Sequence, residues 1–148
     1  MHLTNFTDYT LRVLIYLGMH QHDGRLATIS DVATAYGISE NHLMKIVHHL
    51  AKRGYVETTR GKGGGMRLAR APEQVNLGDV VRDAEDDPVI VKCFQQYNAT
   101  CLIAPACTLA EILGQAMCAF FDKLDSYTLA NLLEQRKNLI GAFRVNSA

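Results

Sequence analysis

No cysteine precedes Cys93 and no histidine follows His49 in this chain. The second absence excludes a local zinc site of three cysteines and one histidine unless an N-terminal histidine folds over them. Net charge is also missing: it is formally +0, which argues neither for nor against a polyanionic partner. Long apolar runs are lacking too. The one candidate for a membrane or export segment, Leu11 to Met19, is short, contains Arg12 and follows the acidic Asp8, so a soluble, cytoplasmic chain without a membrane partner is expected. There is no internal repeat and no low-complexity tract. No nucleophile stands at a spacing from a base that would suit catalysis, no cofactor-binding loop is recognisable, and the paired acids Asp86-Asp87 read as a solvated turn. An enzyme is therefore not expected.

A chain of 148 residues, 48% of them apolar, can bury one respectable core. Its charges are unevenly spread. Residues 1–70 hold nine Lys or Arg against five acids, and residues 71–148 hold six against ten, so the N-terminal part carries the basic surface. The four cysteines, Cys93, Cys101, Cys107 and Cys118, fall close together. Without an export signal, metal or redox chemistry explains clustered thiols better than disulfides do.

Along the chain, Thr4 to His20 is apolar nearly all round, with Val13, Leu14 and Leu17 on one face and Leu11, Ile15 and Tyr16 on others. Such a helix must be covered on several sides. Thr28 begins a short helix that Gly37 stops, and Ser39 caps the next, in which Leu43, Ile46, Val47 and Leu50 recur at helical spacing. Tyr55 to Thr59 and Met66 to Ala69 read as strands joined by the glycine-rich stretch Arg60 to Gly65, and Val75 to Glu85 as a further helix. From Asp86 to Cys107 periodicity is lost, and so long a loop usually has a task or a ligand. Leu109, Ile112, Leu113, Ala116, Met117, Phe120 and Leu124 then define one long helix. Its apolar stripe exceeds what a small core needs, which predicts a partner helix from a second copy. A last short helix carries Leu129, Leu132 and Leu133. The fold class expected is mainly α: a winged helix-turn-helix over residues 1–72, then a cluster-binding loop and dimerisation helices over 73–148.

The helix, the turn at Gly37-Ile38-Ser39 and the second helix give the helix-turn-helix arrangement, with Asn41, Lys45, His48 and Lys52 on the outer face of the second. Asn41 suits a base edge, and Lys45 and Lys52 suit guanine or phosphate oxygens. Arg60 and Lys62 on the hairpin tip can enter a minor groove or hold phosphates. Thr28 and Ser39 at the helix starts, and His42, are counted with these DNA-facing residues. A plainly solvated face and an ordinary turn are the alternative for either feature alone. The run Gly61-Lys62-Gly63-Gly64-Gly65 lacks the order of a phosphate-binding loop and leads into a strand.

Seven residues separate Cys93 from Cys101 and five separate Cys101 from Cys107. Three thiolates from one loop can bind a soft metal or three irons of a cubane cluster, leaving one site for another ligand. The spacing is wider than in zinc ribbons. Iron-sulfur is the better choice.

Several landmarks then belong together: Leu3-Thr4-Asn5-Phe6-Thr7-Asp8-Tyr9, Gly37-Ile38-Ser39 with Asn41-His42, Arg60-Gly61-Lys62-Gly63-Gly64-Gly65, Pro105-Ala106-Cys107, and Tyr127-Thr128-Leu129-Ala130. On these the chain resembles, over essentially its whole length, the IscR and NsrR group of winged-helix iron-sulfur regulators, and within it the NsrR-type, nitric-oxide-sensing repressors. In IscR-like members a histidine three residues after the last cysteine completes the cluster; here that place is Ala110. The resemblance implies instead Asp8 of the partner subunit, beside Cys93, Cys101 and Cys107, as ligand. Arg12, one turn on from Asp8, could orient it and offset the negative cluster. An ordinary i, i+4 surface pair is the plainer alternative. The Cys93 to Cys101 spacing is longer than is common in IscR-like members, which bears on the cluster type: 4Fe-4S is expected, with 2Fe-2S the alternative. Cys118, about 140° round the long helix from its apolar stripe, reads as a bystander.

The resemblance further implies a homodimer on double-stranded DNA, at an AT-rich inverted-repeat operator with recognition helices roughly 34 Å apart, and release of that DNA when nitric oxide nitrosylates the cluster, derepressing nitric-oxide detoxification genes. A sensor of iron-sulfur supply or redox state would use the same residues. An electron-transfer or cluster-carrier protein is the alternative from another class.

Overall fold

The computed structural model describes residues 2–85 and 107–134. Helix α1 (Asn5–His20) starts at Thr4, whose side chain accepts a hydrogen bond from the Thr7 amide. Its buried residues, among them Thr7, Val13, Leu14, Tyr16, Leu17 and Met19, occupy more than one face. The cover that the sequence demands comes from α3 (Glu40–Lys52), α4 (Leu77–Ala84), α6 (Leu129–Leu133) and strand β2 (Gly65–Leu68). Helix α6 comes so close that a Cβ on Gly18 would stand 2.6 Å from the tip of the Leu133 side chain, which would have to shift to admit it.

Helix α2 (Ile29–Tyr36) opens with a capping box: the Thr28 side chain accepts from the Asp31 amide while the Asp31 carboxylate accepts from the Thr28 amide. It ends on Gly37, whose positive φ of 66° suits a residue without a Cβ. Ser39 then caps α3, which buries Leu43, Ile46, Val47 and Leu50. These starts, stops and inward residues are those the sequence predicts.

Strand β1 (Val56–Thr59) pairs antiparallel with β2, Val56 opposite Leu68 and Thr59 opposite Gly65. The strand begins one residue later than the pattern suggests, because the Tyr55 amide still donates to Leu50 of α3 and its hydroxyl donates to Asp83 of α4. A bridge from Ala27 to Met66 ties the hairpin to the segment before α2. After a 3-10 turn at Pro72–Gln74, Asn76 caps α4, two residues inside the expected helix.

The apolar core continues beyond residue 72: Val75, Val80 and Leu129 pack in one cluster with Val13, Leu14, Leu43, Ile46 and Leu50. The last long helix, α5 (Thr108–Asp125), has no buried residue and leaves Leu109, Ile112 and Phe120 exposed. Its far end is fastened to α4 by polar contacts. Arg82 pairs with Asp125 and lies 4.6 Å over the Phe121 ring, and the Asn76 amide donates to the Asp125 carbonyl. Among the described residues no helix is long and apolar enough to cross a membrane.

The α2 cap has a pH signature. Hydrogen bonding from Arg25 first, then from Thr28, outweighs burial and holds the Asp31 carboxyl down at about 2, against an ordinary 3.8. A depressed carboxyl stabilises the fold above its ordinary value and stops doing so as pH falls through the folded one. The Asp31→Asn variant should therefore be less stable than the wild type by about 1 kcal/mol near neutral pH, a cap-sized loss kept small by the exposure of Arg25. In urea unfolding of the metal-free protein that gap should narrow as pH drops from about 4 toward about 2. A gap independent of pH would contradict this account.

Candidate nucleic-acid interface and cluster-holding residues

Because α3 buries Leu43, Ile46, Val47 and Leu50, helical geometry turns Asn41, Lys45, His48 and Lys52 outward, and all four are exposed, as is His42. Ser39 and Thr28 have their side-chain oxygens engaged as caps, so any contact they make to an anion would come chiefly from the start of their helices. Arg60 and Lys62 are exposed on the turn of the hairpin, whose backbone takes positive φ at Gly61 and Gly63.

The basic residues fall into two groups. Arg12, Arg25, Arg53, Arg67 and Arg82 are paired with Asp8, Asp31, Asp83, Glu57, and Asp79 with Asp125, respectively. Arg70 donates to the carbonyls of Arg53 and Gly54. Among the described residues no ion pair engages Lys45, Lys52, Arg60 or Lys62. These unpaired cations of α3 and the hairpin tip can neutralise phosphates; Lys123 of α5, which lies 5.0 Å from the Tyr127 ring centre, also has no ion pair among the described residues.

On the other side of α3 lies the first half of α1. Arg12 donates from Nε to both oxygens of Asp8, at 3.1 and 3.0 Å, a bond that raises the Arg12 pKa further. The Arg12 guanidinium stands 5.6 Å from the ring centre of Tyr36, the last residue of α2, and the Tyr9 ring lies 6.4 Å from that of His42 in the first turn of α3. The turn bearing Asp8 and Arg12 thus touches the helix-turn-helix on both sides of Gly37-Ile38-Ser39. Asp8 and Arg12 side chains are 46% and 43% exposed, so Asp8 remains accessible to a second chain.

Glu85, which the sequence does not single out, holds that turn in place. Its Oε1 accepts from the Thr4 amide at 2.8 Å, from the Thr4 hydroxyl at 3.0 Å and from the Thr7 hydroxyl. Burial works against its charged form, yet the hydrogen bonds from Thr7 and Thr4 prevail and hold its carboxyl below the ordinary range. The partners are some eighty residues apart in the chain, so no local pattern could have revealed them. Tyr9 enters the sequence reading only within the Leu3 to Tyr9 landmark, and neither its contact with His42 nor that of Tyr36 with Arg12 has a local signal.

Of the expected cluster ligands, Cys93 and Cys101 lie outside the described residues. Cys107 is half-buried at the N-cap of α5 and its sulfur makes no capping hydrogen bond, so it remains available as a donor. Cys118 is exposed on α5. Among the described residues no group of three or more His, Cys, Asp or Glu is assembled to hold a metal; Cys107 and Asp8 are the members of the expected set that can be located. Three soft thiolates with one carboxylate fit an iron-sulfur cluster better than a hard cation.

Two helices about a tight turn, the second with unpaired cations outward, and a basic hairpin following them define a winged helix-turn-helix DNA-binding regulator. The family model of Rrf2, described as iron-dependent transcriptional regulator, matches residues 3–135, and the chain belongs to this family. It is 47% identical over 140 residues to the HTH-type transcriptional regulator NsrR of Bacillus subtilis, covering 95% of each chain. To the regulator of the same name from Geobacillus kaustophilus it is 47% identical over 139 residues, 94% of each. Among solved structures, it is similar to CymR, the global cysteine regulator of B. subtilis, with TM-score 0.70 and 26% identity over 89% of this chain and 95% of that one. The T. potens IscR structure shares the fold, with TM-score 0.72 and 24% identity over 90% and 87%. The chain is a transcriptional regulator, as these relatives are, and not an enzyme.

Removing the Glu85 carboxylate should free the start of α1. We expect Glu85→Ala to cost about 1 kcal/mol in urea unfolding of the metal-free protein, the low end of the cost of an unsatisfied donor because only the Thr7 bond is part-buried, and Glu85→Gln to cost less because one oxygen acceptor remains. Hydrogen exchange at the Thr4 amide should speed up in both variants. Wild-type exchange there in Glu85→Ala would show that the bonds do not hold the turn.

Proposed function

We propose that this regulator is a homodimeric repressor that binds an inverted-repeat operator and gives it up in response to nitric oxide, sensed through a 4Fe-4S cluster on Cys93, Cys101 and Cys107 with Asp8 of the partner subunit as the fourth ligand. The observation that carries the reading is the contact between the Asp8 turn and the helix-turn-helix, through Arg12 to Tyr36 and Tyr9 to His42. Two features support the rest. The unpaired cations of α3 and the hairpin suit phosphates, and the exposed Leu109, Ile112 and Phe120 of α5 suit the same face of a second copy. The names of the NsrR relatives agree with it.

When bound, the cluster supplies iron that nitric oxide attacks. The protein's part is to set which ligand is easiest to lose. A carboxylate is a harder donor than a thiolate for such iron, so Asp8 is the weakest of the four attachments. Arg12 orients Asp8 while it is held and pairs with it when it is free, so the carboxylate has a partner in either condition. A released Asp8 no longer ties α1 of one subunit to the loop of the other. The Arg12–Tyr36 and Tyr9–His42 contacts then carry the change to α3, whose spacing from its twin decides whether both can dock. Asn41 and Lys45 face base edges, Lys52, Arg60 and Lys62 the backbone.

The test uses protein purified without oxygen and a duplex operator, with cluster absorbance and DNA binding followed together as nitric oxide is added. Binding should fall in step with the absorbance. Undiminished affinity after the absorbance has gone would rule the mechanism out. In parallel, Asp8→Ala should lose its cluster to a chelator about tenfold faster or more, on the scale of losing a supporting ligand interaction, and an unchanged rate would remove Asp8 from the ligand set.

A further inference from the structure

The solvent face of α3 is not uniformly polar. Asn41, Lys45 and His48 are exposed there, and so is Met44, which is 50% exposed. Residues three and four apart on a helix are neighbours, so Met44 stands between Asn41, one turn before it, and His48, one turn after, with Lys45 alongside. The inward stripe of Leu43, Ile46, Val47 and Leu50 is complete without it. The other large apolar side chains exposed among the described residues lie elsewhere: Leu3 ahead of α1, Leu109, Ile112 and Phe120 on α5, and Tyr127 after it.

A lone exposed apolar residue is commonplace. Its setting gives this one meaning, because Lys45 and Lys52 on the exposed side of α3, without ion-pair partners among the described residues, suit a polyanion that would cover Met44 as well. In the major groove, base edges offer hydrogen-bond donors and acceptors and a single kind of apolar group, the C5 methyl of thymine. An unbranched, polarisable thioether can follow such a methyl without demanding one fixed geometry. Asn41, one turn away, has the amide suited to adenine, so the two side chains together favour A·T pairs. We propose that Met44 reads a thymine methyl and is a specificity-determining residue of the recognition helix. This rests on the DNA-binding reading of α3 given above.

The test isolates the methyl. A duplex that the anaerobically prepared dimer selects from a random-sequence pool is compared with duplexes in which the thymines of one half-site are replaced one at a time by deoxyuridine, which removes the methyl and keeps every hydrogen-bonding group. For the wild type, one replacement should weaken binding about fourfold, the worth of one buried methyl. Met44→Ser should bind both forms of that position equally, and Met44→Leu should keep the discrimination. Lys52→Ala should keep it too, while lowering the salt dependence by about one in slope. Equal wild-type affinity for every thymine and deoxyuridine duplex would overturn the proposal, as would discrimination at the same thymine that survives in Met44→Ser. Failure of the wild type to bind any selected duplex would overturn the DNA-binding reading, and this inference with it.

Discussion

Everything in this molecule is arranged around the enclosure of α1. With Val13, Leu14 and Met19 fully buried and Leu17 nearly so, and with α3, α4, α6 and β2 packed on it, the helix is held on every side but the strip that carries Asp8 and Arg12. Protein interiors are close-packed and do not deform continuously. A force applied to the first turn of α1 is therefore not absorbed within the helix; it passes to whatever touches that turn. Among the neighbours of its first two turns are Glu85, Tyr36 and His42. One of them begins the stretch that leads to Cys93 and Cys101, and the other two flank the turn between α2 and α3. The first turn of α1 is thus the place where the cysteine-bearing part and the DNA-facing part of the chain meet.

Electrostatics follow from the same arrangement. A chain with formal net charge +0 would be poorly drawn to DNA if its charges were evenly mixed. It is not evenly mixed, and pairing sharpens the difference. Arginines that brace the fold have acidic partners, whereas the cations on the outer face of α3 and on the hairpin tip have none among the described residues. Exposed ion pairs add little stability. Their larger effect here is to cancel positive charge elsewhere on residues 2–85, where the cations with neither an ion pair nor a hydrogen bond are then those of α3 and the hairpin tip.

Much of this was legible in sequence because the signals are local. Thr28 and Gly37 bound α2, Ser39 starts α3, and the spacing of Leu43, Ile46, Val47 and Leu50 fixes which face of α3 points out; from there Asn41, Lys45, His48 and Lys52 follow by geometry alone. The strand boundaries missed by a residue because Tyr55 bonds back to α3 and across to Asp83, contacts that no window of sequence contains. Glu85 escaped for the same reason. Val75, at the expected start of α4, falls outside the helix because its carbonyl accepts from the Leu129 amide, a partner that only the folded chain brings near. Met44 was passed over because an apolar residue off the inward stripe carries no periodic signal, and its meaning depends on its neighbours in space.

The joint between α4 and α5 completes the logic. Helix α5 buries no residue of its own, so its direction is not set by a core. It is set at its end, where Asp125 meets Arg82 and Asn76, the Leu77 amide donates to Tyr127, and the Leu129 amide donates to Val75. Leu129, 1% exposed, then anchors the chain in the same core that holds α1. In the proposed dimer the apolar stripe of α5 pairs the two copies, and this joint converts their pairing into an angle between two winged helices. A change felt at the first turn of α1 then has two routes to the spacing of the recognition helices, one through Tyr36 and His42 within a subunit and one through the core to Leu129 and α5. In the proposed dimer both routes start from the same buried helix, an arrangement suited to a repressor that leaves both half-sites at once.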